Sequence, residues 1–175
     1  MLLALCLFVI SCNSDDEDQM PSYFMDLVEA KTNHDTLVTE IKMDNGAMYD
    51  VHQTIKASTP DTTYRCLCMY AFADNQIALY SLEHVFSAYP RKASEFKSHA
   101  TDAVKFISSW RSGGYLNLQI GVMTTDAERH AFAFREDTIL DKGTSKTVYF
   151  TLLHKRPEND NESYTKTMFL SLPLS

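Results

Sequence analysis

Leu37-Val38-Thr39-Glu40-Ile41-Lys42-Met43-Asp44-Asn45-Gly46-Ala47-Met48-Tyr49-Asp50-Val51-His52-Gln53 is the stretch that decides the fold class. Leu37, Thr39, Ile41 and Met43 alternate with Val38, Glu40 and Lys42, a period of two that sets one group on each face of a β-strand. Asp44-Asn45-Gly46 then breaks the alternation with residues that tolerate φ > 0, the chemistry of a hairpin turn, and 47–53 follows as the partner strand. Upstream, 25–30 is a further strand. Downstream, Tyr64, Cys66, Cys68, Tyr70 and Phe72 share one face, with Leu67 and Met69 on the other. Ala73-Asp74-Asn75-Gln76 is the next turn and 77–86 returns as a strand, so about five strands precede residue 88, enough for a small barrel.

Residues 88–109 break this rhythm. Pro90, Arg91, Lys92 and a polar run to His99 predict a connection, with a helical turn near 93–97. A second β series follows. Leu116, Leu118, Ile120 and Val122 face one way, and Tyr115, Asn117 and Gln119 the other. Strands are predicted at 130–135, 147–154 and 167–172. The turns between them contain Thr125-Asp126, Asp141-Lys142-Gly143 and Pro157-Glu158-Asn159-Asp160-Asn161. Strands of this kind joined by short turns predict a sandwich. No internal repeat is visible. The expected class is all-β: a small N-terminal barrel, then a C-terminal β-sandwich, preceded by a leader and an acidic tether.

Composition agrees. The chain has 175 residues, 45% of them hydrophobic, with nine Tyr and ten Phe against five Gly, which suits packed sheets better than a disordered chain. The formal charge of −7 argues against nucleic acid as a partner, because phosphate binding needs a basic surface. Asp15, Asp16, Glu17 and Asp18 supply −4, residues 19–95 another −4, and residues 96–175 carry +1.

The first residues read as an address. Positions 1–10 are apolar and far shorter than the roughly 20 residues that span a bilayer as a helix, but they have the length of a signal-peptide core. Val9-Ile10-Ser11-Cys12 follows, with the aliphatic–small–Cys order after which a lipoprotein signal is cleaved and the Cys acylated. A signal peptide opens with Lys or Arg, and Met1-Leu2-Leu3-Ala4 has neither, so a start upstream is expected. The opposing reading is a buried strand ending in an ordinary Cys. Asn13-Ser14-Asp15-Asp16-Glu17-Asp18-Gln19 cannot bury anything and is expected to be a solvated tether.

The order of features resembles the NigD-like lipoproteins of Bacteroidota. The resemblance rests on the lipobox and acidic tail, the Asp44-Asn45-Gly46 hairpin, and Tyr64-Arg65-Cys66-Leu67 opening a strand. It rests further on Trp110-Arg111-Ser112-Gly113-Gly114-Tyr115-Leu116-Asn117-Leu118, on Leu152-Leu153-His154, and on the ending Phe169-Leu170-Ser171-Leu172-Pro173-Leu174. It implies an OB-like barrel and a β-sandwich, so the segments expected are 1–11 signal peptide, 12–22 lipidated Cys and tether, 23–90 barrel and 100–175 sandwich. The family takes its name from an association with a bacteriocin operon, and the resemblance implies no catalytic residue. In lipoproteins of that phylum, acidic residues just after the lipidated Cys resemble a surface-export signal. The outer membrane is therefore the expected location, with the cell surface and the periplasmic face both open.

Residues suited to chemistry are few. Cys66 and Cys68 sit at i and i+2, with Cα atoms about 6.5 Å apart in a strand, near the upper limit for a disulfide, and their side chains run parallel. A metal would need further ligands, so two buried small hydrophobes are expected. His34, His52, His84, His99, His130 and His154 show no metal-binding spacing. Trp110 and Tyr115 flank a glycine turn, and Asn117 lies on the polar face beside them. Either these form a ligand-stacking platform, or Trp110 anchors the domain junction and the glycines make a tight turn. Asp35-Thr36-Leu37, Asp61-Thr62-Thr63 and Asp137-Thr138-Ile139 match a short O-glycosylation pattern of exported proteins in that phylum.

No nucleophile elbow, phosphate loop or dinucleotide fingerprint appears. The expectation is a non-enzymatic envelope lipoprotein without cofactor or metal, lipidated at Cys12, that contacts the membrane through its lipid and binds a protein or glycan, with Trp110, Tyr115 and Asn117 as candidate contacts. The alternative is a surface hydrolase acting on glycans with carboxylates dispersed over loops.

Overall fold

A computed structural model describes residues 23–52, 55–125, 130–158 and 164–174. The Val9-Ile10-Ser11-Cys12 motif, the acidic tether, and the turn positions Asp126 and Asn159-Asp160-Asn161 lie outside the described residues.

Five strands form the first module: β1 (Phe24–Thr32), β2 (Val38–Met43), β3 (Met48–Val51), β4 (Thr63–Ala73) and β5 (Gln76–His84). They close into a barrel in the order β1-β2-β3-β5-β4, with β3 and β5 parallel and the other pairs antiparallel. This is the five-stranded Greek-key arrangement of an OB-like barrel. Val28, Ala30, Ile41, Cys66, Cys68, Tyr70, Ile77 and Leu79 fill its interior.

The β2–β3 turn forms where the sequence predicts it. The Gly46 N–H donates to the Met43 carbonyl at 2.9 Å, and Gly46 takes φ +89°, a conformation that suits glycine. The facing of β2 departs from the simple alternation. β1 and β2 register Lys31 with Glu40 but Thr32 with Val38, so Thr39 is an extra, bulged residue. The bulge inverts the parity, and Val38 rather than Leu37 enters the core beside Ile41 and Met43.

The second module holds β8 (Lys105–Ser112), β9 (Tyr115–Thr124), β10 (Ala131–Asp141), β11 (Lys146–Lys155) and β12 (Tyr164–Pro173). Two-residue strands β6 (Phe86–Ser87) and β7 (Arg91–Lys92) add to its edges, followed by a 3-10 turn at Ala93–Glu95. The sheets are β6-β12-β9-β8 and β11-β10-β7. Their inner faces meet in one core that includes Leu118, Ile120, Val122, Phe134, Leu170 and Leu172, the packing of a β-sandwich.

Two expectations are corrected. The strand predicted at 77–86 stops at His84, because Val85 turns its N–H to the Arg65 carbonyl at 2.8 Å, and Phe86 then pairs with Leu170 of the second module. The connection predicted over 88–109 ends early, because β8 begins at Lys105.

Cys66 and Cys68 are free and buried on the inner face of β4. Burial pushes both thiols up to about 12, so the reactive thiolate is scarce at neutral pH. Thiol-reagent labelling of the folded protein at pH 7 is expected to be at least about 100-fold slower at both positions than after unfolding. Rapid native labelling would contradict this packing.

Candidate functional site

The barrel and the sandwich meet through two hairpin tips and one buried cation. Arg65 lies on β4 between inward-facing Tyr64 and Cys66, so its side chain leaves the barrel wall on the outside. There it is 4% exposed. Its two terminal nitrogens donate to the two carboxylate oxygens of Asp44, one at 2.8 Å, a fork-to-fork pair. Asp44 occupies the β2–β3 turn. Arg65 also reaches across to the sandwich: Nη2 donates to Asn117 Oδ1 and Nε to Ser171 Oγ, both at 3.3 Å. Its guanidinium lies 4.2 Å from the centre of the Tyr115 ring, in range for a cation–π contact.

The polar atoms form a closed circuit. The Ser171 hydroxyl donates to Asn117 Oδ1 at 2.7 Å, the Asn117 amide donates to Ser112 Oγ at 2.9 Å, and the Ser112 hydroxyl donates to Asp44. Each oxygen that donates also accepts, so every bond polarises the next. Alongside it, the Tyr115 hydroxyl donates to Glu29 at 2.6 Å and Lys42 pairs with the other Glu29 oxygen at 2.9 Å.

The electrostatics follow. Partial burial works to raise the Asp44 pKa, but the hydrogen bonds from Arg65 and Ser112 and the Arg65 charge outweigh it, and the carboxyl is held below its ordinary value. Glu29 is likewise lowered, burial being outweighed by Tyr115 and Lys42. Burial, reinforced by Glu29, pushes the Tyr115 phenol up to about 12.

Gly113 and Gly114 close the β8–β9 hairpin with φ +58° and +82°, positive at both positions as a two-residue type I′ turn requires. They differ in surroundings. A Cβ on Gly113 would overlap the Asp44 carboxylate, whereas one on Gly114 would meet open space. The chain can thus bring the two hairpin tips together only with glycine at 113.

Beside this joint lies a groove of ≈ 660 Å³, lined by residues of both modules. Trp110 and Phe169 come from the sandwich, with ring centres 6.3 Å apart in an edge-on arrangement. Tyr49, Tyr70 and Phe72 come from the barrel. Phe72 meets Tyr49 at 5.3 Å, Tyr70 at 5.5 Å and the neighbouring Phe24 at 5.6 Å. Asp26, Asp44, Asn45 and Ser112 are the main polar groups on its walls.

The three candidate contacts therefore separate. Trp110 is 37% exposed and lines the groove, while Asn117 is fully buried in the joint and Tyr115 lies half-buried over Arg65. Sequence reasoning passed over Arg65, Asp44 and Ser171 as functional residues. The available signal was an Arg in the alternating pattern of a strand, next to buried Cys66.

A second buried polar cluster lies within the sandwich. His130 Nδ1 and His154 Nε2 are 2.7 Å apart with stacked rings, and His154 Nδ1 approaches the Asp102 carbonyl at 3.0 Å. Burial lowers the His154 pKa; the Asp102 carbonyl opposes this and His130 adds to it. Among the described residues no group of three or more His, Cys, Asp or Glu could hold a metal ion, and no helix is long and apolar enough to cross a membrane.

These features define a two-module all-β protein, an OB-like barrel joined to a β-sandwich by hydrogen bonds from a buried, ion-paired arginine of the barrel. The chain belongs to the NigD-like family: the NigD-like C-terminal beta sandwich domain matches residues 87–175. A NigD-like immunity protein from Bacteroides caccae ATCC 43185 superposes with a TM-score of 0.71 at 26% identity, over 89% of this chain and 78% of that one. A candidate toxin-related protein from Parabacteroides distasonis ATCC 8503 (TM-score 0.63, 13% identity, 87% and 78% covered) shares the fold. So does a candidate lipoprotein from Bacteroides fragilis NCTC 9343 (TM-score 0.55, 14% identity, 89% and 79% covered). No curated protein matches the chain.

The joint makes specific demands. Arg65→Ala leaves Asp44 and Asn117 without their buried donor and is expected to lower the unfolding free energy by about 3 kcal/mol in denaturant titrations. Gly113→Ala combines backbone strain with a clash and is expected to cost about 3 kcal/mol, against about 1 kcal/mol for Gly114→Ala. Equal costs at the two glycines would contradict the close approach of Asp44.

The His pair predicts a pH dependence. A folded-state pKa below the unfolded value of 6.5 means that the unfolded chain takes up the proton first. Stability is then full above pH 6.5 and falls as pH drops from there through the folded value. Glu29 and Asp44 add a second loss that opens only below about 4.5. The melting temperature is expected to fall by about 3 °C between pH 7 and 5, and His154→Gln to flatten that segment while leaving the steeper loss at lower pH.

Proposed function

We propose that this chain is a cell-envelope lipoprotein, held at the outer membrane by a lipid on Cys12, whose body binds another macromolecule without catalysing a reaction. The observation that carries the reading is the groove between the modules. Its aromatic walls come from both the barrel and the sandwich, and the hydrogen bonds from Arg65 to Asn117 and Ser171 and from Ser112 to Asp44 join the two beside it. Apolar clefts with a few placed polar groups are the usual form of a binding site. The Val9-Ile10-Ser11-Cys12 motif supports the anchor, and the Bacteroides caccae relative, an immunity protein by its name, supports a partner in a defence setting.

A hydrolase acting in the same groove would need two carboxylates in complementary protonation states. Asp44 is already committed to Arg65 and Ser112 and kept ionised, which favours binding over acid catalysis.

The test is capture of partners from native membranes by the lipidated full-length protein, alongside Trp110→Ala and Cys12→Ser variants. Trp110→Ala is expected to lose the captured partner with its melting temperature within about 2 °C of the parent, and Cys12→Ser to leave the membrane fraction. Capture that survives Trp110→Ala, or a variant that simply unfolds, contradicts the groove as the binding site.

A further inference from the structure

We infer that the groove takes a cationic segment of polypeptide, one in which Lys or Arg side chains alternate with apolar ones. The inference rests on the binding reading above and names its ligand class. It follows from which groups the walls offer and which they have already used.

The walls are rich in acceptors and π-faces. Tyr49, Tyr70, Phe72, Trp110 and Phe169 supply rings, and no Lys, Arg or His is among the described residues that line the groove. Its two carboxylates are not equivalent. Asp44 is neutralised by Arg65. Asp26 has no cation partner among the described residues: its Oδ2 accepts the Tyr70 hydroxyl at 2.9 Å, and the carboxylate is exposed at the mouth beside Phe24.

Two of the three hydroxyl donors on the walls are spent. Tyr70 gives its proton to Asp26 and Ser112 gives its proton to Asp44. A ligand that supplies donors and has no acceptor of its own to satisfy fits such a surface, and ammonium and guanidinium groups are donors only. The same groups are drawn to ring faces, Trp most of all. Residues 19–95, which contain the barrel, carry a net −4, so the field at the groove mouth has the matching sign. A neutral sugar could stack on Trp110 and hydrogen-bond Asp26, but it carries no positive charge to balance the carboxylate.

The protein carries its own reporter, because Trp110 is its single tryptophan. Emission from Trp110 in the full chain is followed while it is titrated with three tryptophan-free probes: an alternating lysine–leucine hexapeptide, its glutamine–leucine counterpart, and a neutral glucose or N-acetylglucosamine hexamer. The lysine peptide alone is expected to give a saturable shift. Its affinity is expected to weaken about fivefold in high salt and about fivefold in Asp26→Asn, with the variant's unfolding midpoint unchanged. A saturable response to the neutral oligosaccharide with none to the lysine peptide overturns the ligand class and leaves the groove as a binding site. An equal response to the lysine and glutamine peptides, or one indifferent to Asp26→Asn, overturns the charge argument. No response to any probe overturns both this inference and the groove reading beneath it.

Discussion

The guanidinium of Arg65 is the constraint on which the rest of the molecule depends. Removing such a charge from water costs several kcal/mol unless every donor is met by a well-placed acceptor. Here the acceptors come from three separate parts of the chain: Asp44 in a hairpin turn of the barrel, Asn117 on β9 and Ser171 on β12. None of them suffices alone. The barrel supplies the charge balance and the sandwich supplies the remaining oxygens, so the cation is satisfied only when both modules are folded and docked. A junction of this kind specifies one relative placement, since a shift of one residue in any participant would strand a buried charge. The aromatic groove between the modules is a consequence of that placement.

The glycines and small polar residues around the joint acquire their meaning from the same geometry. Gly113 admits the Asp44 carboxylate where any Cβ would exclude it. Ser112 and Ser171 are hydroxyls that donate once and accept once, which keeps the hydrogen-bond circuit unbroken. Asn117 presents one carbonyl and one amide to neighbours of opposite need. The stretches that carried the family resemblance, Asp44-Asn45-Gly46, Tyr64-Arg65-Cys66-Leu67 and the run from Trp110 to Leu118, therefore meet in space. Most of their unusual residues hold the modules together, and Trp110 is the member left facing the groove.

The fold was largely legible because strands with one buried face alternate visibly. β4 and β9 announced their inner faces, and the turns at Gly46 and Gly143 carried residues suited to positive φ. Legibility failed where local pattern and packing part company. A single bulge at Thr39 reversed the facing that alternation implied for Leu37 and Val38. β8 escaped notice because it is an edge strand with exposed residues on both faces, and Ile107 is a bulged extra residue beside Phe106, so no period of two is left to read. The site was less legible than the fold. Arg65 looked like an ordinary outward-facing strand residue, and only contacts with Asn117 and Ser171, 52 and 106 positions away, make it a buried one. Sequence spacing contains no record of such distances. Tyr115 and Asn117 stood out in the chain for the right neighbourhood but serve the joint, while Trp110 beside them serves the cleft.

The central claim is that the two modules form one cooperative unit through the Arg65 joint, and equilibrium denaturation read by two probes tests it most directly. Trp110 emission reports the sandwich side of the interface, and pulse labelling of Cys66 and Cys68 reports opening of the barrel interior. Coincident transitions, with a single midpoint for both probes, are the predicted result. Thiols that become reactive at a denaturant concentration where Trp110 emission is still native would show a barrel that unfolds by itself, and would contradict the account.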